Sequence, residues 1–207
     1  MQHTRLLSLF TGAALGMAAI LAPANASAKV VVSEKVKYYP VKGRDGLEVS
    51  KAMLAGGSRN INMHHAIAAT STRFAISEAE VGVRNGRCVV NNVKVTLDIV
   101  YLYPKWSMKS SASPRVRKAW DRFYAELLIH EQTHGKYAKT AAVRIEKELK
   151  SLSGTVALGC KDFGRSADRR FNKIADDLKN QQQAFDVKEN RDSSKITKLQ
   201  IALLKAE

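Results

Sequence analysis

The residues of this chain with the clearest chemical potential are His130, Glu131 and His134, which form the pattern H-E-x-x-H. Two histidines four positions apart lie one turn apart on the same face of a helix, so both imidazoles can reach one metal ion. A glutamate beside them can accept a proton from a water molecule that the ion polarises. The pattern therefore predicts a zinc-dependent peptidase, with His130 and His134 as ligands of Zn2+ and Glu131 as the general base. The alternative interpretation is a pair of packed histidines on an ordinary amphipathic helix, whose rings would need hydrogen-bond partners.

A third ligand is expected, because a catalytic zinc ion usually takes three from the protein. Glu148 lies about 21 Å further along a straight helix, which is too far to share the ion. His64 and His65 are adjacent and precede a predicted strand. Because neighbouring side chains of a strand point to opposite faces, at most one of them could face the site. The candidates are that pair and the aspartates on or near a later helix: His64, His65, Asp162, Asp176, Asp177 and Asp186.

The motif must be carried by a helix. Ser113 is a good N-cap and Pro114 suits the first helical position, and apolar residues then recur at helical spacing as far as Leu152. A break near Gly135 is one possibility within this long helix. On a helical wheel both histidines lie at the centre of the apolar stripe, and Glu131 lies at its edge. A second long helix is expected over about residues 164–187.

The N-terminal half has a different periodicity. Alternating and β-branched residues predict strands over 29–41, 66–83 and 88–103, the last two joined by the turn Asn85-Gly86. A short helix is expected over 44–55, stopped by the next two glycines. The sequence therefore predicts an α+β fold, in which a small antiparallel sheet in the N-terminal half packs with two long helices, the first carrying H-E-x-x-H.

The first 28 residues have the organisation of a secretory signal peptide: a basic start, an apolar run and the small-residue site Ala26-Ser27-Ala28. The alternative is an uncleaved membrane anchor. We predict cleavage before Lys29, a zincin-like domain over 29–190 and a basic C-terminal tail over 191–207. The expected location is the periplasm or the exterior, and no transmembrane segment is expected in the mature chain.

The chain contains two cysteines, Cys88 and Cys160. An even number of cysteines in an exported protein indicates a disulfide bond. Two buried free thiols are the alternative.

The chain of 207 residues has a formal net charge of +15, and 45% of its residues are hydrophobic. That apolar content is enough for a folded core, so a disordered protein is excluded. The charge could attract an anionic envelope polymer or acidic substrates, or it could simply be a solvated surface. No nucleic acid is expected as a partner, because no aromatic and basic motif accompanies the charge. The expected substrate is an envelope protein or peptide.

The sequence resembles a bacterial domain family of unknown function described as predicted secreted zinc-dependent proteases. The resemblance implies a secreted zinc-binding domain, with His130 and His134 as ligands and Glu131 as catalytic base. It covers about residues 36 to 188 and rests on the motif itself and on these further stretches: Tyr38-Tyr39-Pro40-Val41 with Gly43, VKVTLDIVYLYPKW ending at Trp106, Trp120-Asp121-Arg122, Cys88, Cys160 and Phe185-Asp186.

The C-terminal part of the resemblance contains a departure. Members of the family often end with Tyr-Asp-x-x-Thr-x-His-Gly, and here Arg191 stands at the histidine position. A guanidinium cannot ligate a metal, so a histidine that is a ligand elsewhere has been lost or replaced here. Two classes of function therefore stay open: a zinc-dependent metallopeptidase of the envelope, and a non-catalytic envelope protein that binds a metal or an anionic polymer.

Overall fold

The structure is a computed structural model that describes residues 29–61, 66–154 and 160–207. The expected signal peptide and the candidate ligands His64 and His65 lie outside the described residues. Within the described residues, four α-helices and three strands follow one another as β1 (Lys29–Val41), α1 (Gly46–Ile61), β2 (Ala69–Arg84), β3 (Arg87–Trp106), α2 (Pro114–Lys150), α3 (Phe163–Glu189) and α4 (Lys195–Leu204).

The α+β class is confirmed: a three-stranded sheet in the N-terminal half packs against helices, two of which are long. The strands are arranged in the order β1-β3-β2. β2 is antiparallel to β3, as expected, but β1 is parallel to β3, so the sheet is mixed and not wholly antiparallel. Residue alternation shows which face of a strand is buried but not its direction. The connection from β1 to β3 contains α1 and β2, which is long enough for a parallel pairing.

The buried apolar residues of the described chain form two hydrophobic clusters. The first lies between the sheet and the C-terminal part of α2, with α3 completing it, and includes Leu97, Ile99 and Ile145. The second lies around the N-terminal part of α2, where Phe123 and Trp120 pack against α1, α4 and the end of β3. Each of these core residues is at most 4% exposed. Helix α2 therefore takes part in both clusters along its length.

The 37 residues of α2 form one uninterrupted helix. The sequence suggested that the helix could break near Gly135. Instead, this glycine allows α2 and β3 to approach each other closely. A Cβ atom added there would lie 2.1 Å from the hydroxyl oxygen of Tyr101 on β3. That hydroxyl donates a hydrogen bond to Glu34 on β1, and Glu34 also accepts one from Lys139 on α2. The sheet and the helix are thus held together next to the motif.

The short helix α1 is longer than predicted, because Gly56 lies inside it and does not end it. A Cβ atom at Gly56 would meet the ring of Tyr39 at 2.4 Å. The Tyr39 hydroxyl, which has one hydrogen to donate, lies within hydrogen-bond distance of the carbonyl oxygens of Met53 and Ile67. The lack of a side chain at Gly56 therefore allows α1 to pack closely against Tyr39 of β1.

The segment predicted to be a basic tail, residues 191–207, contains α4. Ser194 caps this helix by accepting a hydrogen bond from the Thr197 amide. Leu203 is completely buried in the second cluster, and the Gly46 amide donates to the Ala206 carbonyl at 2.8 Å. The segment is therefore packed onto the domain. None of the described helices has the length and apolar character needed to cross a membrane.

Cys88 and Cys160 form a disulfide bond in the structure, as predicted. The bond joins the start of β3 to the turn before α3, and Cys88 is completely buried. It therefore connects the sheet to the helix that completes the first cluster.

Replacing both Cys88 and Cys160 by alanine should lower the free energy of unfolding by about 4 kcal/mol, because the bridge closes a long loop in the unfolded chain, with a sequence separation of 72. Urea unfolding followed by circular dichroism measures the change. A reductant should destabilise the parent by a similar amount and leave the double variant unchanged. A loss below about 1 kcal/mol would contradict the stabilising role.

Gly135→Ala should destabilise the protein by about 1–3 kcal/mol, because the added methyl group overlaps the Tyr101 hydroxyl. Gly164→Ala in α3 is the matched control, since nothing lies within 4 Å of its added Cβ. Alanine should there be neutral or stabilising, as is usual in a helix. Chemical unfolding measures both variants. The cost of Gly135→Ala should shrink in a Tyr101→Phe background, and an equal cost in both backgrounds would disprove the overlap.

Candidate metal centre

The buried face of α2 contains a polar gap between its two hydrophobic parts. Phe123 and Leu127 belong to one core cluster, and Ala138 belongs to the other. At the positions between them stand Glu131 and His134, which are buried at 4% and 8% exposure. The helix thus places the polar residues of the motif where the two clusters meet.

His130 and His134 converge with Asp186 of α3. The two Nε2 atoms lie 3.3 Å apart. Asp186 Oδ1 lies 3.3 Å from Nε2 of His130 and 2.9 Å from Nε2 of His134. Within the described part of the chain, these three residues form a group that could hold a metal ion.

The three donor atoms fit a first-row transition metal. A tetrahedral zinc ion with bonds of about 2.0–2.1 Å separates its ligand atoms by about 3.3 Å. The three observed separations, of 3.3, 3.3 and 2.9 Å, are close to that spacing. Two imidazole nitrogens and one carboxylate oxygen are also a donor set that such metals accept. The residues present therefore fit a metal ion, and their geometry alone leaves its identity open.

Neighbouring charged groups change the pKa values of His130 and Asp186. Burial would raise the pKa of the Asp186 carboxyl, but hydrogen bonds from His130 and His134 outweigh it and hold the pKa well below its usual range. Burial would lower the pKa of His130, but the hydrogen bond to Asp186 and the charge of Glu131 raise it. A cation in place of the histidine protons would satisfy the same carboxylate, because metal binding releases protons from its ligands.

Phe185 holds the donors in place from the α3 side. Its ring stacks on His130 with centroids 4.8 Å apart and meets His134 edge-on at 5.3 Å. It also packs edge-on against Tyr137 of α2. Because Phe185 precedes Asp186, this packing brings the carboxylate to the two imidazoles. Among the described residues, the buried Nδ1 of His130 has no hydrogen-bond partner, so the ring is positioned by its stacking on Phe185 and by the contact of Nε2 with Asp186.

Glu131 lies deeper than the sequence predicts. The helical wheel puts it at the edge of the apolar stripe, but its side chain faces the sheet and is nearly fully buried. The Thr70 hydroxyl of β2 lies 2.7 Å from Glu131 Oε2 and 3.0 Å from the Glu131 carbonyl oxygen. Burial raises the pKa of this carboxyl, and the hydrogen bond from Thr70 opposes the rise. A residue at the edge of the stripe is buried here because the sheet packs on the flank of the helix that carries Glu131.

The site opens into a cleft of about 650 Å³. The start of β2 forms one side, α2 forms the floor, and α3 and α4 form the opposite side. His130, Glu131, His134 and Asp186 all line it. Asp186 has 44% of its side chain exposed, so the candidate metal position is reachable from solvent.

The other aspartates considered as ligands have different surroundings. Asp162 pairs with Arg165, and Asp177 pairs with Arg144 and Lys173. Asp176 is exposed on α3. Glu148 pairs with Arg170. Of the candidates that the structure describes, Asp186 joins the histidines.

Arg191 does not take part in the candidate site. It is exposed just after α3, whereas Asp186, five residues earlier, supplies the third donor. The group of three therefore forms without a ligand at position 191. Thr70 and Phe185 were not identified as functional residues from the sequence. Phe185 could have been found through its place beside Asp186 in the matched stretch, whereas nothing in the sequence connects Thr70 with Glu131.

Fold and site together define an α+β protein with a candidate two-histidine, one-aspartate metal centre on a long helix. The chain belongs to the bacterial family described as "Bacterial protein of unknown function (DUF922)", which matches residues 36–193. The resemblance is thereby confirmed for the family, whose description names no activity. No curated protein and no solved structure shows a significant match to the chain.

Asp186→Asn should lower the zinc affinity of the purified protein by more than about a hundredfold, because it removes the charged donor of the group. His130→Ala and His134→Ala should have effects at least as large. Asp176→Asn is the matched control, as an exposed aspartate on the same helix. Competition titration with a zinc-binding dye measures the affinities, and elemental analysis measures the stoichiometry. Equal affinity of Asp186→Asn and Asp176→Asn would show that Asp186 is not a ligand.

Proposed function

We propose that this protein is a secreted or periplasmic zinc-dependent metallopeptidase that acts on envelope proteins or peptides. One observation carries the proposal: three donor atoms at metal-ligand spacing lie beside a buried glutamate in an open cleft. The ion would be held by His130, His134 and Asp186. When bound, zinc supplies Lewis acidity, which lowers the pKa of water and polarises a carbonyl group.

The number of donors favours a catalytic site over a structural one. Structural zinc sites are usually closed by four protein ligands, whereas catalytic sites keep one position open. Here the part of the chain that is described contributes three side chains, and the cleft reaches them. An open position of this kind is where a water molecule and a substrate carbonyl would be needed.

Glu131 is the general base of the proposed reaction. Its side chain lines the same cleft as His130, His134 and Asp186. It takes a proton from the attacking water and passes it to the leaving amine. The hydrogen bond from Thr70 holds one carboxylate oxygen of Glu131 in place. The side chain therefore loses less conformational entropy when it is oriented for the reaction.

The edge strand beside the cleft offers a binding surface for a peptide. β2 lies at the edge of the described sheet, and Ala69 and Thr70 at its start line the cleft. An extended peptide that adds to this edge would form main-chain hydrogen bonds with β2. The bound peptide would then run past the donor atoms of the candidate metal centre, with its carbonyl groups within their reach.

The extracytoplasmic location is supported by two features. The disulfide bond is of a kind that persists in oxidising compartments. The N-terminal segment has the composition of a signal peptide. The excess of positive charge would favour substrates held near anionic polymers of the envelope.

Glu131→Gln should keep the zinc affinity near that of the parent and lower peptide hydrolysis by at least about a hundredfold, because the amide cannot accept the proton. Zinc-loaded mature protein and fluorescent casein provide the assay. Glu146→Gln is the matched control on the same helix. It removes a partly buried ion pair with Lys150, and it should leave the rate unchanged because Glu146 does not line the cleft.

Two results would contradict parts of this proposal separately. If Glu131→Gln hydrolyses casein as fast as the parent, Glu131 is not the base. If the parent binds zinc tightly and cleaves neither casein nor a peptide library, the non-catalytic metal-binding function replaces the peptidase.

A further inference from the structure

One side of the cleft is formed by α4, which lies outside the stretch that the family matches. The family match ends at residue 193, and α4 begins at Lys195. Ile196, Thr197 and Gln200 of this helix nevertheless line the same cleft as the candidate metal ligands. The surroundings of the site are therefore completed by a segment beyond the matched stretch.

This helix is fixed firmly enough to act as a wall. Leu203 is completely buried, and a Cβ atom at Gly46 would lie only 1.7 Å from the Leu203 carbonyl oxygen, so α1 and α4 are in close contact. Thr197 Oγ1 donates to the Glu189 carbonyl at the end of α3. Lys195 forms an ion pair with Glu126 of α2. Contacts to three helices hold the cleft-facing side chains in position.

The cleft differs in charge from the rest of the chain. The protein has 34 lysines and arginines, but the described residues that line the cleft include neither. The α3 and α4 sides present neutral hydrogen-bonding groups instead, on Gln182, Asn190, Thr197 and Gln200.

The only carboxylates that line the cleft in the described chain are those of Glu131 and Asp186. Their two negative charges would balance one divalent cation. Among the described lining residues, a charged substrate side chain would therefore find no counter-ion beyond these two carboxylates, and losing its hydration without one is costly.

We propose that α4 determines the substrate specificity of this cleft by selecting a peptide segment with an uncharged side chain next to the reacting carbonyl. The inference rests on the proposed peptidase function. Gln200 is the residue through which the selection can be changed, since it belongs to the wall and carries no charge.

Peptide hydroxamates test the proposal by binding, without any need for turnover. Three N-acyl dipeptide hydroxamates that differ only in one side chain, Gln, Glu or Lys, are titrated into the zinc-loaded protein by calorimetry. The parent should bind the Gln compound most tightly. Gln200→Lys should improve the affinity for the Glu compound, relative to the Gln compound, by about tenfold, which is typical of one new charge pair in a partly exposed site. Gln200→Glu should favour the Lys compound in the same way.

Gln183→Lys is the matched control. Gln183 is exposed on α3, beside the cleft-lining Gln182 but outside the lining itself, and the change adds the same charge. It should leave the ranking of the three compounds as in the parent. Equal rankings for Gln200→Lys and Gln183→Lys would overturn the proposal, as would a parent that prefers a charged compound or binds none of them.

Casein cleavage measured in parallel separates the two proposals. Selective hydroxamate binding without cleavage would reject the peptidase function and leave the selectivity of the wall standing. Cleavage of casein together with unselective hydroxamate binding would reject the role of α4 and leave the peptidase standing.

Discussion

The structure depends on one helix that must pack in two directions. The first part of α2 closes the cluster around Trp120 and Phe123, and its last part closes the cluster around Leu97 and Ile145. A straight helix of 37 residues is about 55 Å long, so no single core could cover it. Between the two clusters, the buried face of α2 is not covered by a continuous apolar core. Glu131 and His134 occupy this part of the face. The polar residues are tolerated there because Thr70 and Asp186 provide their hydrogen bonds and charge.

Much of this architecture could be predicted from local patterns. The apolar spacing after Ser113 indicated α2, since a buried helical face repeats every three to four residues. The alternation through Leu97 and Ile99 indicated the buried face of β3. The direction of β1 could not be predicted, because the alternation of a strand is the same in parallel and antiparallel pairs. The length of α1 was underestimated because the packing of Gly56 against Tyr39 outweighs the low helix propensity of glycine.

The site could be predicted only as far as one helix determines it. The spacing of His130 and His134 fixes their side chains on one face wherever the helix lies. The third donor depends on how α3 packs on α2, and several aspartates of α3 had suitable chemistry. Asp186 is the one that Phe185 brings to the histidines. The partnership of Thr70 with Glu131 follows from the sheet packing on one flank of α2, which a helical wheel of α2 alone does not contain.

The order of the donor residues along the chain determines when the site can exist. A chain that leaves a ribosome or a translocation pore from its N-terminus presents both histidines well before Asp186. Between them lies Cys160, whose partner Cys88 has already emerged by then. Until α3 folds back onto α2, the histidine pair is an incomplete chelator, and a metal ion bound to it would exchange freely. The metal would thus be acquired from the compartment in which the domain finishes folding, and for an exported chain that supply lies beyond the cytoplasmic membrane.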